Sequence, residues 1–457
     1  MNAAAPNPEF DAAPRSATAN RRSVAVIGGG ISGLASAFRL ASLGHSVTLI
    51  EGDAQLGGLG TTFPYHGGRL ERFYHCILPD DHALVRLIDE VGLGEELLWR
   101  QTGMGFMYDH RIYPLNSALD LLRFSPLTPL DRIRMGLLAI RARIGGLDRR
   151  LDRIGVAEWI KHLVGERAFR ILWQPLLEAK IGDAYPGIPA LWLSSRMHRE
   201  KNTKKEVKGC LVHGYGSLID ALERALTDRN VTIAMSRRVA AIEQVGPRMR
   251  LAYEDGNHDT FDTIVSTSPL VQFQRLTQGL DIPPALRGLE LDYQGVVSGV
   301  FLLRKPLSPY YWMPIVASGA TAQGMIEMSN LVPLERSDGL YVMYLVNYTH
   351  RTSPLFARSD EDLLAAYQDD LERLFPGSSA DIVDRFLFRA PFVEPLWSLG
   401  YSERRPPASV IPGRLYLAGT AQVYPNVNSW NSCCEVVERM VTEFAHDIDT
   451  AAADLPA

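Results

Sequence analysis

The chain has 457 residues, 46% of them hydrophobic and 22% charged, with a formal net charge of −5. This composition excludes collagen-like, low-complexity and globally disordered chains, and at roughly 100–200 residues per domain it leaves room for several domains. Forty-seven basic against 52 acidic side chains argue against a duplex nucleic-acid binder, and four cysteines with no CxxC pair argue against a zinc ribbon or a thioredoxin-type site, so no metal is expected.

Residues 1–21 are rich in Ala, Pro, Asn and Ser and read as a disordered tail. Arg21-Arg22 then precedes an apolar run from Val24 to Leu43. Its length suits a membrane span, and an apolar stretch after two arginines suits an export signal. Gly28-Gly29-Gly30 breaks it, however, into a short β-type run, a glycine turn and a helical stretch that ends at Gly44. Ser46–Ile50 follows as a second strand and ends at Glu51. The turn carries GxGxxG as Gly28, Gly30 and Gly33, and Glu51 lies 23 positions after Gly28. That strand–turn–helix–strand–acid order is the context a dinucleotide fingerprint requires. Gly28 permits the turn, Gly30 lets the backbone approach a pyrophosphate, and Gly33 lets the helix pack on the sheet. Ile31 and Ser32 open the helix where free N–H groups meet an anion. Glu51 can accept from both ribose hydroxyls and disfavours a 2′-phosphate.

Six residues after Glu51 comes a second glycine cluster, Gly57-Gly58-Leu59-Gly60-Thr61-Thr62. With it the chain resembles the amine oxidase and protoporphyrinogen oxidase-like superfamily of FAD proteins. The resemblance implies that Gly57, Gly58, Leu59 and Thr61 line the FAD phosphates and flavin. Leu59 stands where the family often has arginine. Two later segments resemble the same superfamily: residues 213–217 with the strand around Val239, and the apolar strand ending at Ala418-Gly419-Thr420. The resemblance places Val239 by its backbone at the adenine, and Gly419 and Thr420 at the flavin and ribityl chain. Thr420 stands where an acid is frequent.

Gly67 to His75 resembles a stretch of UDP-galactopyranose mutases and related polysaccharide-cluster flavoproteins that carries a histidine close to the flavin, which makes His75 the candidate catalytic residue. A core histidine bonded to a carbonyl is the competing reading, and a histidine at such a site titrates near neutrality. Glu71 is expected to pair with Arg69 or Arg72. Arg414 and Tyr424 are the candidates for the mutase arginine–tyrosine pattern. Lys180 is expected to pair with Glu178 or Glu158 or to contact the flavin. Two basic stretches, 123–150 and 196–208, interleave arginines and lysines with apolar residues. A solvated helix face is one reading. An anionic or lipid-linked substrate, with peripheral contact at a membrane surface, is the other.

These readings predict an α/β protein with an FAD-binding Rossmann-like domain of the glutathione reductase type and an inserted α+β substrate domain. The FAD domain is expected from residues 22–110, 205–270 and 405–447, the substrate domain from 111–204 and 271–404, and a tail over 448–457. The expected function is an FAD-dependent oxidoreductase that dehydrogenates a small or amphiphilic, glycan- or polyprenyl-linked substrate. It is expected in the cytoplasm, peripheral at the inner face of the membrane. A redox-neutral mutase-like flavoenzyme and a non-catalytic flavoprotein scaffold are the alternatives.

Overall fold

The computed structural model describes residues 21–144, 148–199, 206–316 and 319–453. The tail expected over residues 1–21 lies outside the described residues apart from Arg21, as do Lys201, Lys204 and Lys205 of the second basic stretch. The apolar run after Arg22 is neither a membrane span nor an export helix. It divides into β1 (Ser23–Ile27), α1 (Ile31–Ser42) and β2 (Ser46–Ile50). Among the described residues no helix is long and apolar enough to cross a membrane.

β1 lies inside a six-stranded sheet. In spatial order the strands are Ser409–Ile411, Leu415–Leu417, Thr263–Ser266, β1, β2 and Thr232–Ala234. All neighbours pair parallel except the Ser409–Ile411 edge. β2 lies on one side of β1 and Thr263–Ser266 on the other, so the strand order switches at the carboxyl end of β1, where open α/β sheets bind ligands. α1 is buried almost all round, with Leu34, Ala37 and Leu40 fully enclosed. It packs against the helices Tyr215–Asp228 and Trp430–Ala453. The second of these runs past residue 448, where a tail is expected, because Ile448 is buried on the core and holds the helix down.

A seven-stranded sheet forms the second layer system. Its order is Ile382–Leu396, Asp292–Leu303, Tyr341–His350, Gly324–Glu327, Trp312–Val316, Gly105–Tyr108 and Arg111–Pro114. The strand Asp292–Leu303, next to the Ile382–Leu396 edge, is buried on both faces. Val296, Val300 and Leu302 face a core shared with Phe63 and Leu70 of the hairpin Thr62–Tyr65/Gly68–Glu71, while Val297, Phe301 and Leu303 face a core built with Leu363, Tyr367 and Leu371 of the helix Asp360–Leu374. The alternation is the period-2 signature of a strand. Helices between Ala118 and Arg199 make a separate helical layer whose Met135, Leu138, Val156 and Ile160 join the same core as the nucleotide sheet.

Candidate functional site: a dinucleotide cradle at the strand ends

The glycine turn at the end of β1 is shaped by three different constraints. Gly28 adopts φ +104°, which favours glycine. A Cβ on Gly33 would lie 1.7 Å from the Gly28 carbonyl oxygen, so helix and turn touch there. Gly30 differs from both: a Cβ there would meet nothing nearer than Gly58 Cα at 3.9 Å. The space above Gly30 is open, and α1 starts with no side-chain cap and no acid in its first turn. Ile31, Ser32 and Gly33 therefore leave their N–H groups for an anion. Glu51 at the end of β2 accepts from the Gly29 N–H at 2.6 Å and the Asp53 N–H at 2.8 Å. A carboxylate offers about four lone-pair directions, so two are left for a diol.

The second glycine segment closes over the first. Gly57 bridges to Gly30, with its N–H donated to Gly29 O at 2.8 Å. Gly57 and Gly58 both have positive φ, and a Cβ on Gly58 would press to 3.2 Å on Gly30 Cα. Leu59 turns toward the core under the hairpin, and Thr61 O accepts the Arg72 N–H at 3.1 Å. A Cβ on Gly60 would collide with Trp430. Trp430, Tyr215 and His75 form an aromatic wall there, with ring centroids 4.7–5.4 Å apart. The backbone of Val239 begins a three-stranded sheet next to Arg237, whose N–H donates to Glu51 O at 2.8 Å. Gly419 is packed against Ser268 O, and Thr420 Oγ1 lies 3.4 Å from Tyr293 Oη. Ser32, in the first turn of α1, opposes the rise that burial gives the thiol of Cys433 in the first turn of the C-terminal helix, and the two helices pack together beside the cradle.

Several expected partners differ. Glu71 pairs with neither Arg69 nor Arg72. It is buried against Arg336, 2.7 Å from Nη2, and also accepts the Tyr215 N–H at 3.0 Å, while Arg69 turns outward to Asp220. His75 hydrogen-bonds the Phe73 carbonyl through Nδ1 at 2.9 Å, and burial lowers its pKa to about 4, against partial support from that bond and from Glu71. It therefore stays neutral where the sequence reading has it titrating near neutrality, because the rings of Tyr215 and Trp430 displace the water an imidazolium needs. Arg414 precedes Leu415–Leu417 and lies at the amino end of the parallel strands, opposite the glycine turn. Tyr424 is buried and donates to Asp152, so it is tied into the core. Lys180 lies 3.6 Å from Glu394, not Glu178, which instead accepts from Gln174.

Lys180 leads to a group that sequence reading does not single out. Glu394 is buried, its pKa raised by desolvation against the pull of Lys180, the Asn428 N–H and Arg196. Lys180 Nζ also sits 4.9 Å from the Tyr348 ring, whose hydroxyl meets that of Tyr74 at 2.9 Å. Gln294 faces the same region, fully buried with both side-chain atoms lacking a protein partner. Asn428 links the group to the cradle, because its Oδ1 accepts from Cys433 Sγ. The one sequence signal was Gln294, a polar residue in the largely apolar strand Asp292–Leu303.

The chain matches the family model of flavin-containing amine oxidoreductases over residues 31–427. The chain belongs to this family. Membership brings a flavin cofactor and oxidoreductase chemistry, and the open Gly30 turn, the uncapped α1 and the free lone pairs of Glu51 fit FAD. In fold, the chain is similar to a putative protoporphyrinogen oxidase from Exiguobacterium sp. 255-15, with TM-score 0.73, 21% identity and coverage of 94% of this chain and 99% of that one. Among curated relatives it is 28% identical over 179 residues to the zeta-carotene desaturase of Synechocystis sp. and 27% identical over 161 residues to the putrescine oxidase of Kocuria rosea. These matches cover 34% and 32% of this chain, and 37% and 32% of the two relatives, so the chain matches about a third of their length.

Proposed function

We propose that the chain is an FAD-dependent dehydrogenase of a small or amphiphilic molecule, the amphiphilic class including polyprenyl- and glycan-linked compounds. The observation that carries the reading is the open space at Gly30, bounded by backbone donors and Glu51, in a turn where Gly33 has no space at all. When bound, the flavin supplies the hydride acceptor. The chain supplies the rest. Residues 31–33 hold the pyrophosphate, Glu51 the ribose, and the second glycine segment the other side of the phosphates. The Trp430–Tyr215–His75 wall excludes water. Gln294 and the Tyr74–Tyr348 pair orient the polar part of a substrate. Lys180 and Glu394 are an acid–base pair able to take a proton from it: burial raises the carboxyl and the ammonium opposes that shift.

The names of the relatives support a dehydrogenation, since they span a hydrocarbon desaturase and an amine oxidase. The test is an anaerobic titration of the purified flavoprotein with amines and isoprenoids. Bleaching of the flavin by one of them without added reductant is the expected result. Turnover that starts only after chemical reduction of the flavin contradicts the proposal.

A further inference from the structure

Twelve large apolar side chains are exposed among the described residues, and six of them fall between positions 119 and 140. Leu119 and Leu122 lie on the helix Ala118–Arg123. Leu130, Ile133, Leu137 and Ile140 follow on Pro129–Ile144, each more than half exposed. Steps of three and four residues put these four on one face of the helix, in a stripe about 15 Å long at 1.5 Å per residue. The other face already has its core. Asp131, Met135 and Leu138 are buried, as are Phe124 and Leu127 between the helices. The outward stripe is thus apolar surface beyond what folding uses.

The exposed charges on the two helices themselves have one sign. From residue 118 to 141 the exposed charged side chains are Arg123, Arg134 and Arg141. The two acids are turned to structural tasks: Asp120 accepts the Asn116 N–H at 3.0 Å, and buried Asp131 accepts the Thr128 hydroxyl at 2.7 Å. An exposed apolar stripe flanked by arginines is the pattern of a helix lying in a membrane interface.

We propose that these two helices are a peripheral docking surface for an anionic lipid bilayer, with the leucines and isoleucines among the acyl chains and the three arginines at the headgroup phosphates. A second copy of the chain is a poorer occupant. A two-fold contact places the same patch on both sides, and the arginines would face arginines with no exposed acid on the two helices to answer them. A bilayer offers both the apolar interior and the opposite charge. With no helix suited to crossing a membrane among the described residues, the contact is in-plane. It rests on this surface alone, so its failure leaves the FAD reading untouched.

The test is co-sedimentation of the full chain with vesicles of phosphatidylcholine, with and without phosphatidylglycerol. Binding to the anionic vesicles that weakens with salt is expected. The double variant Ile133→Asp/Leu137→Asp should bind at least about tenfold more weakly. Both positions are exposed, so its circular dichroism and bound flavin should match the parent. Arg123→Glu/Arg141→Glu should lose the preference for phosphatidylglycerol. Absence of vesicle binding overturns the proposal, as does binding that both variants retain. A vesicle-independent dimer abolished by Ile133→Asp/Leu137→Asp overturns it too and assigns the face to a second copy.

Discussion

At the scale of the residue, glycines with the same letter in the motif have different jobs. Gly33→Ala places a methyl carbon at 1.7 Å from a backbone oxygen, so the turn or α1 must move. We expect a loss of about 2–4 kcal/mol in chemical denaturation, with or without flavin. An unchanged midpoint would show that the helix does not touch the turn. Glu71 and Arg336 are nearly closed off from water and bonded through both carboxylate oxygens. Arg336→Ala leaves a buried carboxylate uncompensated and should cost about 3–5 kcal/mol. A cost below about 1 kcal/mol would mean that water reaches Glu71. The sequence could not show this pair because the partners are 265 positions apart, and the nearer arginines were the reasonable choice.

His75 makes a prediction with a definite sign. Its ring titrates near 6.5 when unfolded and at about 4 when folded, so the unfolded chain binds more protons between those values. Stability is full above pH 6.5 and falls as the pH drops toward 4, by at most about 3 kcal/mol from this residue. His45, also lowered by burial and by Arg22, acts in the same direction. The comparison is therefore the pH slope of the parent against that of His75→Gln. The variant should be flatter between pH 6.5 and 4, and equal slopes would contradict the buried neutral ring.

At the scale of the element, legibility followed periodicity and turn chemistry. β1, α1 and β2 were readable because each end is marked by a glycine or an acid and each apolar spacing matches one type of element. The helix Pro129–Ile144 shows the opposite case. Apolar residues lie on two of its faces, one at 135 and 138 and one at 130, 133, 137 and 140, so pattern alone could not say which faces the core. Contacts from Phe124 and Leu127 decide it. Since the stripe carries no folding load, Ile133→Asp should change the unfolding free energy by no more than a surface change does, about 0.5 kcal/mol. A larger loss would mean that Ile133 is packed.

At the scale of the whole molecule, the cradle is assembled from chain segments far apart in sequence. The glycine turn and Glu51 come from the first 51 residues, Tyr215 from the middle, and Trp430, Gly419 and Thr420 from the last tenth. The first of these was legible because its spacing is local. The polar group of Lys180, Glu394, Tyr348 and Gln294 was not, because each member sits singly in an ordinary helix or strand and only folding brings them together. The bland net charge hid a further asymmetry, the arginine-only rim of the outward helices.

The central claim is that the open turn at Gly30 holds the flavin's pyrophosphate. It is tested most directly by the flavin absorbance of the purified chain beside that of Gly30→Val, with Glu51→Ala as a second variant. The parent should be yellow and keep FAD through desalting. Gly30→Val should fold with the same circular dichroism, since its backbone angles suit valine and its Cβ meets no side chain, yet retain little or no FAD. Glu51→Ala should weaken retention as well. A folded Gly30→Val chain that holds FAD as tightly as the parent would contradict the account, as would a parent chain that is colourless and takes up no added FAD.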